Sequence, residues 1–222
     1  MPQLPQMLYS MKYYNFAQVP DLGAYIKNRE QLANYDFDGL TIKLAETKDF
    51  YTLAQSVDKY RDGVRITDRL ARGDVCVVAY KHGVLAHVRW GARTPIPLKE
   101  LGGRIIHLGC HDGWTYDSYT LPAFRRQGIA SEARNFLINY LAQQGVRFIY
   151  SISRTENVNV QPMRVKRIRE GRVRMLGLIT VTNLLGWVRC NFFAETAYTR
   201  PLIAQLFHLP LTTVGFKTWD AS

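Results

Sequence analysis

Hydrophobic positions repeat with two different periods along this chain, and each period predicts one kind of element. Alternating or short continuous apolar runs are typical of strands, whereas spacings of three and four residues are typical of helices. Strands are predicted at residues 40–44, 74–80, 84–90, 105–108, 115–121 and 146–153. Helices are predicted at residues 21–33, 47–60, 66–72 and 131–142. Lys81, His82 and Gly83 separate two of the strands, which predicts a β-hairpin.

The strand, turn and helix between residues 115 and 142 form the most informative junction in this pattern. Pro122 ends the strand because proline removes a hydrogen-bond donor from the ladder. A basic turn begins at Arg125 and leads into the helix, whose first N–H groups lack intrahelical partners and whose macrodipole is positive there. Small residues at Gly128 and Ala130 allow an anion to come close. The junction therefore predicts a diphosphate site made of main-chain donors.

The junction also resembles the central motif of a known family. With the strand predicted at 146–153 and an asparagine beyond it, it forms a β-loop-α-β unit. This unit is similar to that of the GNAT superfamily, the acyl-CoA-dependent N-acyltransferases, whose signature Q/R-x-x-G-x-G/A is met by Arg125, Gly128 and Ala130. The resemblance extends from about residue 40 to about residue 187. It implies a three-layer α+β fold, with a mixed, mostly antiparallel sheet flanked by helices.

The resemblance implies an activity and a set of cofactor-binding residues. An acyl group, with acetyl as the first expectation, passes from acyl-CoA to a primary amine of a small-molecule acceptor. The amine attacks the thioester directly, through a tetrahedral intermediate. The amine must lose a proton and the oxyanion must be stabilised. The positions that match the family's acyl-CoA site are Ser118, Tyr119, Thr120, Arg125, Arg126, Gln127, Gly128, Ile129, Ala130, Ser131 and Asn159. The backbone at 118–120 corresponds to the pantetheine-binding strand, and the turn corresponds to the diphosphate site.

Strict alternation along the central strand predicts that Thr115, Asp117 and Tyr119 share one face. Family members with a carboxylate on this strand place it on the corresponding face. Asp117 is therefore the candidate catalytic base, with His111 as the second candidate. The alternative is that Asp117 accepts hydrogen bonds from the neighbouring turn or pairs with an arginine. Tyr116 and Tyr119 are interpreted as walls of the acceptor pocket.

The chain departs from the family pattern where many members have a tyrosine that protonates the leaving thiolate. That position falls here on Lys166 or Arg167, and Gly171 closes the helix one residue late. A helix tyrosine is therefore not expected to act as the acid. The thiol of CoA has a pKa near that of free cysteine, about 8.5, so it can leave as a thiolate with little assistance from the protein.

Composition favours a chain with a hydrophobic core and reduced thiols. The 222 residues are 47% hydrophobic, and the three cysteines, Cys76, Cys110 and Cys190, have no disulfide or metal-ligand spacing. The cluster from His107 to Asp112 lacks paired ligand spacing as well, so no metal is expected. The sequence shows neither a signal peptide nor an apolar run that could span a membrane, which favours a cytoplasmic protein. Residues 1–39 are interpreted as an N-terminal extension and residues 40–222 as the acyltransferase domain.

Much of the net charge of +11 comes from one segment between Arg164 and Arg174, which contains six basic residues and a single acidic residue, Glu170. Such a run is most often a solvated helix face. It could also contact the CoA 3′-phosphate, an acyl carrier protein or an anionic, nucleotide-linked acceptor. The alternative enzyme is therefore an acyl-carrier-protein-dependent N-acyl amino acid or acyl-homoserine-lactone synthase. The alternative outside enzymes is a CoA- or nucleic-acid-binding module, although no nucleic-acid-binding motif is present. A homodimer is left open.

Overall fold

The computed structural model describes residues 9–20, 22, 35–61, 63–156, 166, 168–184 and 187–216. The strands among them are β1 (Tyr9–Val19), β2 (Tyr35–Phe37), β3 (Leu40–Leu44), β4 (Val75–Lys81), β5 (Val84–Ala92), β6 (Ile96–Leu98), β7 (Arg104–Ile106), β8 (Asp112–Thr120), β9 (Phe148–Arg154), β10 (Arg174–Leu184), β11 (Trp187–Ala194) and β12 (Val214–Phe216). The α-helices are α1 (Thr47–Ser56), α2 (Val64–Ala71), α3 (Ile129–Gln143) and α4 (Thr199–Leu206). None of the described helices is both long and apolar enough to cross a membrane.

The chain divides into two compact units. Unit A contains the described residues within 21–94 and 109–149, and unit B contains those within 1–20, 95–108 and 150–222. The boundary predicted between residues 39 and 40 is a different division, and it stays a prediction. The predicted α+β class is confirmed, because helices and a mostly antiparallel set of strands occur together.

Unit A is built on an antiparallel sheet with the strand order β2-β3-β4-β5-β8. The predicted hairpin is confirmed: β4 and β5 are joined at His82 and Gly83, which both have positive φ (49° and 78°). Two left-handed residues in a two-residue loop match the right-handed twist of the flanking strands. The predicted central strand is β8, and it begins three residues earlier than expected, at Asp112.

Helices cover both faces of this sheet. On one face, α1 and α2 pack against a buried cluster that includes Leu53, Ile66 and Trp90. On the other face, α3 lies so close that a Cβ atom added to Gly91 would come within 3.0 Å of Leu137. The predicted helix 47–60 is interrupted at Val57, which has extended backbone angles, so α1 ends at Ser56 and a single 3₁₀ turn follows. These layers hold β8 and the start of α3 in place.

Unit B contains the strand order β12-β11-β10-β1-β9, in which β11 and β12 are parallel. Strand β1 lies inside the segment interpreted as an N-terminal extension, and no strand was predicted there. It pairs antiparallel with β10, more than 150 residues away, so no local pattern identifies its partner. Phe16 is fully buried and contacts the ring of Phe207 edge-on, with 5.7 Å between the ring centroids. The helix predicted at 21–33 lies outside the described residues, apart from Leu22.

Candidate active site

The predicted diphosphate site is a tight turn at the beginning of α3, here called the cradle (residues 125–131). Arg126 and Gly128 both adopt left-handed backbone angles (φ 64° and 79°), and Gly128 is the N-cap of the helix. The Ser131 N–H donates to the Gly128 carbonyl at 2.8 Å. The first two helical N–H groups, those of Ile129 and Ala130, have no intrahelical acceptor because of their position. The sequence-predicted cradle residues are thus brought together around a helix N-terminus.

The space beside Gly128 is open. A Cβ atom added there would have no heavy atom of its surroundings within 4 Å. Two hydrogen bonds from side chains to main-chain carbonyls stabilise the turn. Arg125 Nε donates to the Thr120 carbonyl at 3.2 Å, and Gln127 Nε2 donates to the Ala123 carbonyl at 3.1 Å. Main-chain donors, a positive helix end and free space are what a diphosphate requires. The residues therefore fit the group, and their role as its binding site stays a prediction.

A β-bulge interrupts the central strand. The register of β5 and β8 shifts between Val88 and Trp90, so that Asp117 and Ser118 lie together opposite Arg89. Asp117 has a left-handed φ of 47°, which is uncommon for a residue other than glycine. An extra residue in one strand bends it and leaves the ladder locally disrupted. We call this feature the bulge (Asp117 and Ser118).

The bulge overturns the argument from strict alternation. Tyr116 and Tyr119 are three residues apart, and both pack against the core cluster beneath α1 and α2. Strict alternation would place them on opposite faces of the sheet. The prediction that Tyr119 faces away from Tyr116 is therefore wrong, because the extra residue shifts the phase of the strand by one.

Asp117 accepts two short hydrogen bonds, one from a phenol and one from a guanidinium. The Tyr60 hydroxyl donates to Asp117 Oδ2 at 2.6 Å, and Arg69 Nη2 lies 2.6 Å from the same oxygen. The side chains of Arg69 and Asp117 are only 12% and 18% exposed. Pairing with an arginine, the alternative that the sequence left open, is thus present. The role of Asp117 as the base stays a prediction.

Arg69 is itself surrounded by aromatic rings. Its guanidinium carbon lies 4.8 Å from the Trp90 ring centroid, 4.9 Å from that of Tyr116 and 5.4 Å from that of Tyr60. Such cation–π contacts strengthen when the cation is removed from water. Burial is the largest single influence and acts to lower the pKa of Arg69, but the charge of and hydrogen bond to Asp117, together with the nearby phenols of Tyr60 and Tyr116, outweigh it, and the pKa is raised. Arg69 therefore stays charged beside Asp117.

A second carboxylate lies next to this network. Asp74 Oδ2 accepts from Tyr116 Oη at 2.5 Å and from Arg72 Nη2 at 2.7 Å. Burial raises the pKa of Tyr116, and the hydrogen bond to Asp74 adds to the effect. Burial and the charge of Asp117 raise the pKa of Tyr60 in the same way. Both phenols are therefore neutral hydrogen-bond donors, and both are weaker acids than a free tyrosine.

On the α3 side of the sheet, a buried histidine contacts the predicted pantetheine-binding strand. His87 Nδ1 lies 2.7 Å from Thr120 Oγ1, and His87 Nε2 lies 3.5 Å from Ser118 Oγ. Arg89 Nη2 donates to the same Ser118 oxygen at 2.9 Å. Ser118 is exposed, whereas His87 has no exposed surface. The exposed hydroxyl of the bulge thus has a buried imidazole behind it.

Three residues of this network, Tyr60, Arg69 and His87, were not singled out from the sequence. His87 had a signal, since it is a polar residue inside the otherwise apolar segment VLAHV of β5. Arg69 had none, because it is one of several arginines in and around α2 and its partner is 48 positions away. Only the packing of α2 against β8 selects it.

The second candidate catalytic residue, His111, lies far from the bulge. Its Nδ1 is 3.2 Å from the carbonyl of Gly145, just beyond the C-terminal end of α3. Because α3 has 15 residues and is about 22 Å long, this position is at the opposite end of the helix from the cradle. The structure therefore does not bring His111 to Asp117.

The remaining predicted positions are described only in part. Asn159, Arg164 and Arg167 lie outside the described residues. Lys166 and Arg172 are exposed and form ion pairs with Glu170, with nitrogen–oxygen distances of 4.0 Å and 3.3 Å. These contacts are typical of a solvated surface.

The segment that contains the bulge and the cradle matches a known family in sequence. The sequence profile of the Acetyltransferase (GNAT) family matches residues 45–165, which include the bulge and the cradle. No curated protein matches the chain by sequence.

Among solved structures, the chain is similar to a functionally unknown conserved protein from Staphylococcus epidermidis, with 11% identity, a TM-score of 0.49 and 78% of this chain covered. It spans 61% of the length of that protein. A putative GNAT acetyltransferase from Novosphingobium aromaticivorans has 13% identity and a TM-score of 0.48, with 83% of this chain and 71% of that chain covered. A GNAT acetyltransferase from Brucella melitensis in complex with acetyl-CoA has 14% identity and a TM-score of 0.38, with 50% and 73% covered. Because the profile matches more than half of its residues, the chain belongs to the GNAT family of acetyltransferases.

Proposed function

We propose that this chain is an N-acyltransferase that moves an acyl group, in the first place acetyl, from acyl-CoA to a primary amine of a small molecule. The observation that supports it best is the open, main-chain-lined space at Gly128, within the segment that matches the family. When bound, acyl-CoA supplies a thioester whose carbonyl carbon an amine can attack. The residues of the chain must bind it, orient it and handle the protons.

The cradle binds the diphosphate through main-chain donors. Charge-assisted hydrogen bonds of this kind contribute about 1.5–3 kcal/mol each. The exposed guanidinium groups of Arg125 and Arg126 add favourable charge at the same helix end. Because the donors are main-chain groups, binding should survive the loss of any one side chain.

The bulge orients the thioester. A bulge leaves one residue of the ladder unpaired and re-aims the neighbouring groups, so main-chain groups at 118–119 can turn toward a substrate carbonyl. A donor aimed at the oxygen where negative charge develops lowers the barrier. This is the role that the family resemblance implies for Ser118 and Tyr119.

In this proposal Asp117 binds the acceptor's ammonium group. Asp117 is paired with Arg69, and the guanidinium of Arg69 lies against the rings of Tyr60, Trp90 and Tyr116. A carboxylate bonded to a guanidinium takes up a proton less readily than a free one. This physical argument favours a binding role for Asp117 and makes its role as the base the hypothesis to test.

The leaving group departs as thiolate. Tyr60 and Tyr116 are held by carboxylates and have raised pKa values, so neither is suited to protonate a sulfur.

Cys76, Cys110 and Cys190 are all free thiols, which agrees with the proposed cytoplasmic location.

Binding and turnover can be tested separately. Acetyl-CoA at about 100 times its dissociation constant should add about 2.7 kcal/mol to the free energy of unfolding, seen as a thermal shift. Thiol release should then be followed over a panel of amines, with acetyl-CoA, long-chain acyl-CoA and an acyl carrier protein as donors. The absence of both a thermal shift and calorimetric binding with every donor would reject the proposal. Release with the carrier protein alone would select the alternative synthase activity.

A further inference from the structure

His87 has no role in the function proposed so far, yet it contacts the bulge. It is fully buried, and its two ring nitrogens face two hydroxyl groups of β8, those of Thr120 and Ser118. Thr120 and Ser118 are also among the residues predicted to lie along the pantetheine arm. The imidazole therefore lies directly behind the surface on which the thioester would rest.

The two hydroxyl contacts of His87 permit a tautomer that can accept a proton from Ser118. A neutral imidazole donates from one nitrogen and accepts at the other. When Nδ1–H donates to Thr120 Oγ1, 2.7 Å away, Nε2 is left to accept from the hydroxyl of Ser118, 3.5 Å away. A hydroxyl is activated as a proton acceptor when it faces a base that a third group orients. The distance between base and hydroxyl is often longer before substrate binds.

A positive charge lies beside the pair and acts on its two members in opposite ways: it favours loss of the Ser118 proton and disfavours an imidazolium on His87. The charge is that of Arg89, whose Nη2 donates to Ser118 Oγ at 2.9 Å. A guanidinium bonded to a hydroxyl stabilises the negative charge that develops on the oxygen as its proton leaves. Asp117, the neighbouring residue, is already engaged by Arg69 and Tyr60, and protonation would weaken both contacts.

We propose that Ser118 and His87 form a proton relay that deprotonates the attacking nucleophile. Ser118 Oγ takes a proton from the acceptor's ammonium group while its own proton passes to His87 Nε2, which leaves a neutral amine and an imidazolium. The amine's lone pair forms the C–N bond, and the electrons of the C–S bond leave with sulfur. The second proton on nitrogen then ends on the thiolate, and the imidazolium returns its proton to solvent through Ser118. The inference rests on the proposed function, because that function places the thioester at the bulge.

The test uses the full chain with acetyl-CoA alone, so it does not depend on knowing the acceptor. Water must also lose a proton when it attacks, and the relay should therefore support slow hydrolysis, measured as thiol release. Ser118→Ala and His87→Gln should lower that rate by about 10², the lower range for general base catalysis. Calorimetry should show an unchanged dissociation constant for acetyl-CoA. Ser118→Thr keeps the hydroxyl and should retain most of the rate.

Matched controls come from the same unit. Ser56→Ala removes an exposed hydroxyl at the end of α1, and His82→Asn removes an imidazole in the β4–β5 turn while suiting its left-handed backbone. Both should hydrolyse acetyl-CoA at the wild-type rate. If His87→Gln fails to fold, Ser118→Ala decides the matter, because Ser118 is exposed.

Each outcome separates the relay from the function on which it rests. Normal binding with wild-type hydrolysis by Ser118→Ala overturns the relay and leaves the proposed function intact. A mass gain of one acetyl group on Ser118 overturns it in favour of a covalent route. Wild-type protein that binds acetyl-CoA but releases thiol to neither water nor any amine overturns it too. Failure of the wild-type chain to bind acetyl-CoA contradicts the proposed function itself.

Discussion

The cradle and the bulge belong to one continuous strand-turn-helix segment, yet they are built from different parts of the chain. The cradle consists of consecutive residues, with exposed side chains at 125–127 before the first main-chain N–H groups of the helix. The bulge is surrounded by side chains that arrive from α2, β5 and the 3₁₀ turn before α2, among them Arg69, His87 and Tyr60. The first is a local structure, and the second is a tertiary one.

This difference sets how each region should respond to substitution. A site made of main-chain donors loses little when a side chain is removed, but it is sensitive to any atom that fills its space. A site made of buried charges responds in the opposite way, because removal of one partner leaves the other uncompensated. Substitutions in the two regions should therefore differ in both the kind and the size of their effects.

The largest effect is expected in the cradle, from Gly128→Val. The added side chain would occupy the open space beside the helix start, so acetyl-CoA binding should be abolished in calorimetry. Gly145→Val is the matched control, because Gly145 also has a left-handed φ (86°) and open surroundings but lies at the other end of α3. Both variants carry a similar backbone strain of about 1–2 kcal/mol. If they bind acetyl-CoA equally well, the cradle has been misplaced.

In the bulge, Arg69→Met should lower the free energy of unfolding by about 3–5 kcal/mol, because Asp117 would stay largely buried without its partner. Urea unfolding measures this quantity. Arg61→Met is the control, since its ion pair with Asp58 is exposed and should contribute less than about 1 kcal/mol. Equal losses in the two variants would show that the Arg69–Asp117 pair is no more important than a surface pair.

Asp117→Asn should raise the KM for the amine acceptor by about 10- to 100-fold, the effect of losing one charge-assisted hydrogen bond of about 1.5–3 kcal/mol. The kcat should change by less than about tenfold, because the proton passes through Ser118 in our proposal. Steady-state kinetics with the best amine of the panel decides. A fall in kcat of about 10²–10⁴ at unchanged KM would instead assign the base to Asp117.

A smaller effect is expected from Gln127→Ala, which removes a cradle side chain and keeps every main-chain donor. Gln127 Nε2 donates to the Ala123 carbonyl, so the change costs one hydrogen bond within the turn, about 1 kcal/mol. The dissociation constant of acetyl-CoA should rise by less than about tenfold in calorimetry. A loss comparable to that of Gly128→Val would mean that side chains, rather than main-chain groups, hold the diphosphate.

The smallest effect is expected for Tyr150→Phe, in unit B. Tyr150 is buried, and its hydroxyl accepts a hydrogen bond from Gln18 Nε2 at 3.2 Å. Its loss should lower the free energy of unfolding by about 1 kcal/mol and leave turnover within a few-fold. Tyr140→Phe should likewise leave turnover within a few-fold. A fall in turnover by a factor of about 10² in either variant would identify that tyrosine as the general acid that protonates the leaving thiolate.

Most of unit A could be predicted because its elements depend on neighbours in sequence. The β4–β5 turn needs two residues that tolerate positive φ, and His82 and Gly83 supply them. Pro122 ends β8 and Gly128 begins α3 by the same kind of local rule. Strand β1 was missed because its partner β10 lies more than 150 residues further along the chain, so no local pattern identifies the pairing.

The bulge could not be predicted from alternation. An extra residue exists only relative to a partner strand, and the pairing of β5 with β8 decides that Asp117 and Ser118 share one opposite position. The ring cluster around Arg69 likewise depends on how α2 packs on the sheet. Alternation is a property of one strand, whereas register is a property of two.

The sequence by itself determined the family, the α+β class and the place of the cradle, because a helix start, a glycine and a small residue act through backbone geometry within a few positions. Only the tertiary structure decided that Asp117 is paired with Arg69 and that His87 lies behind Ser118. Those contacts join residues between 31 and 48 positions apart, and their energies come from burial and charge pairing. Such energies exist only once the layers have packed.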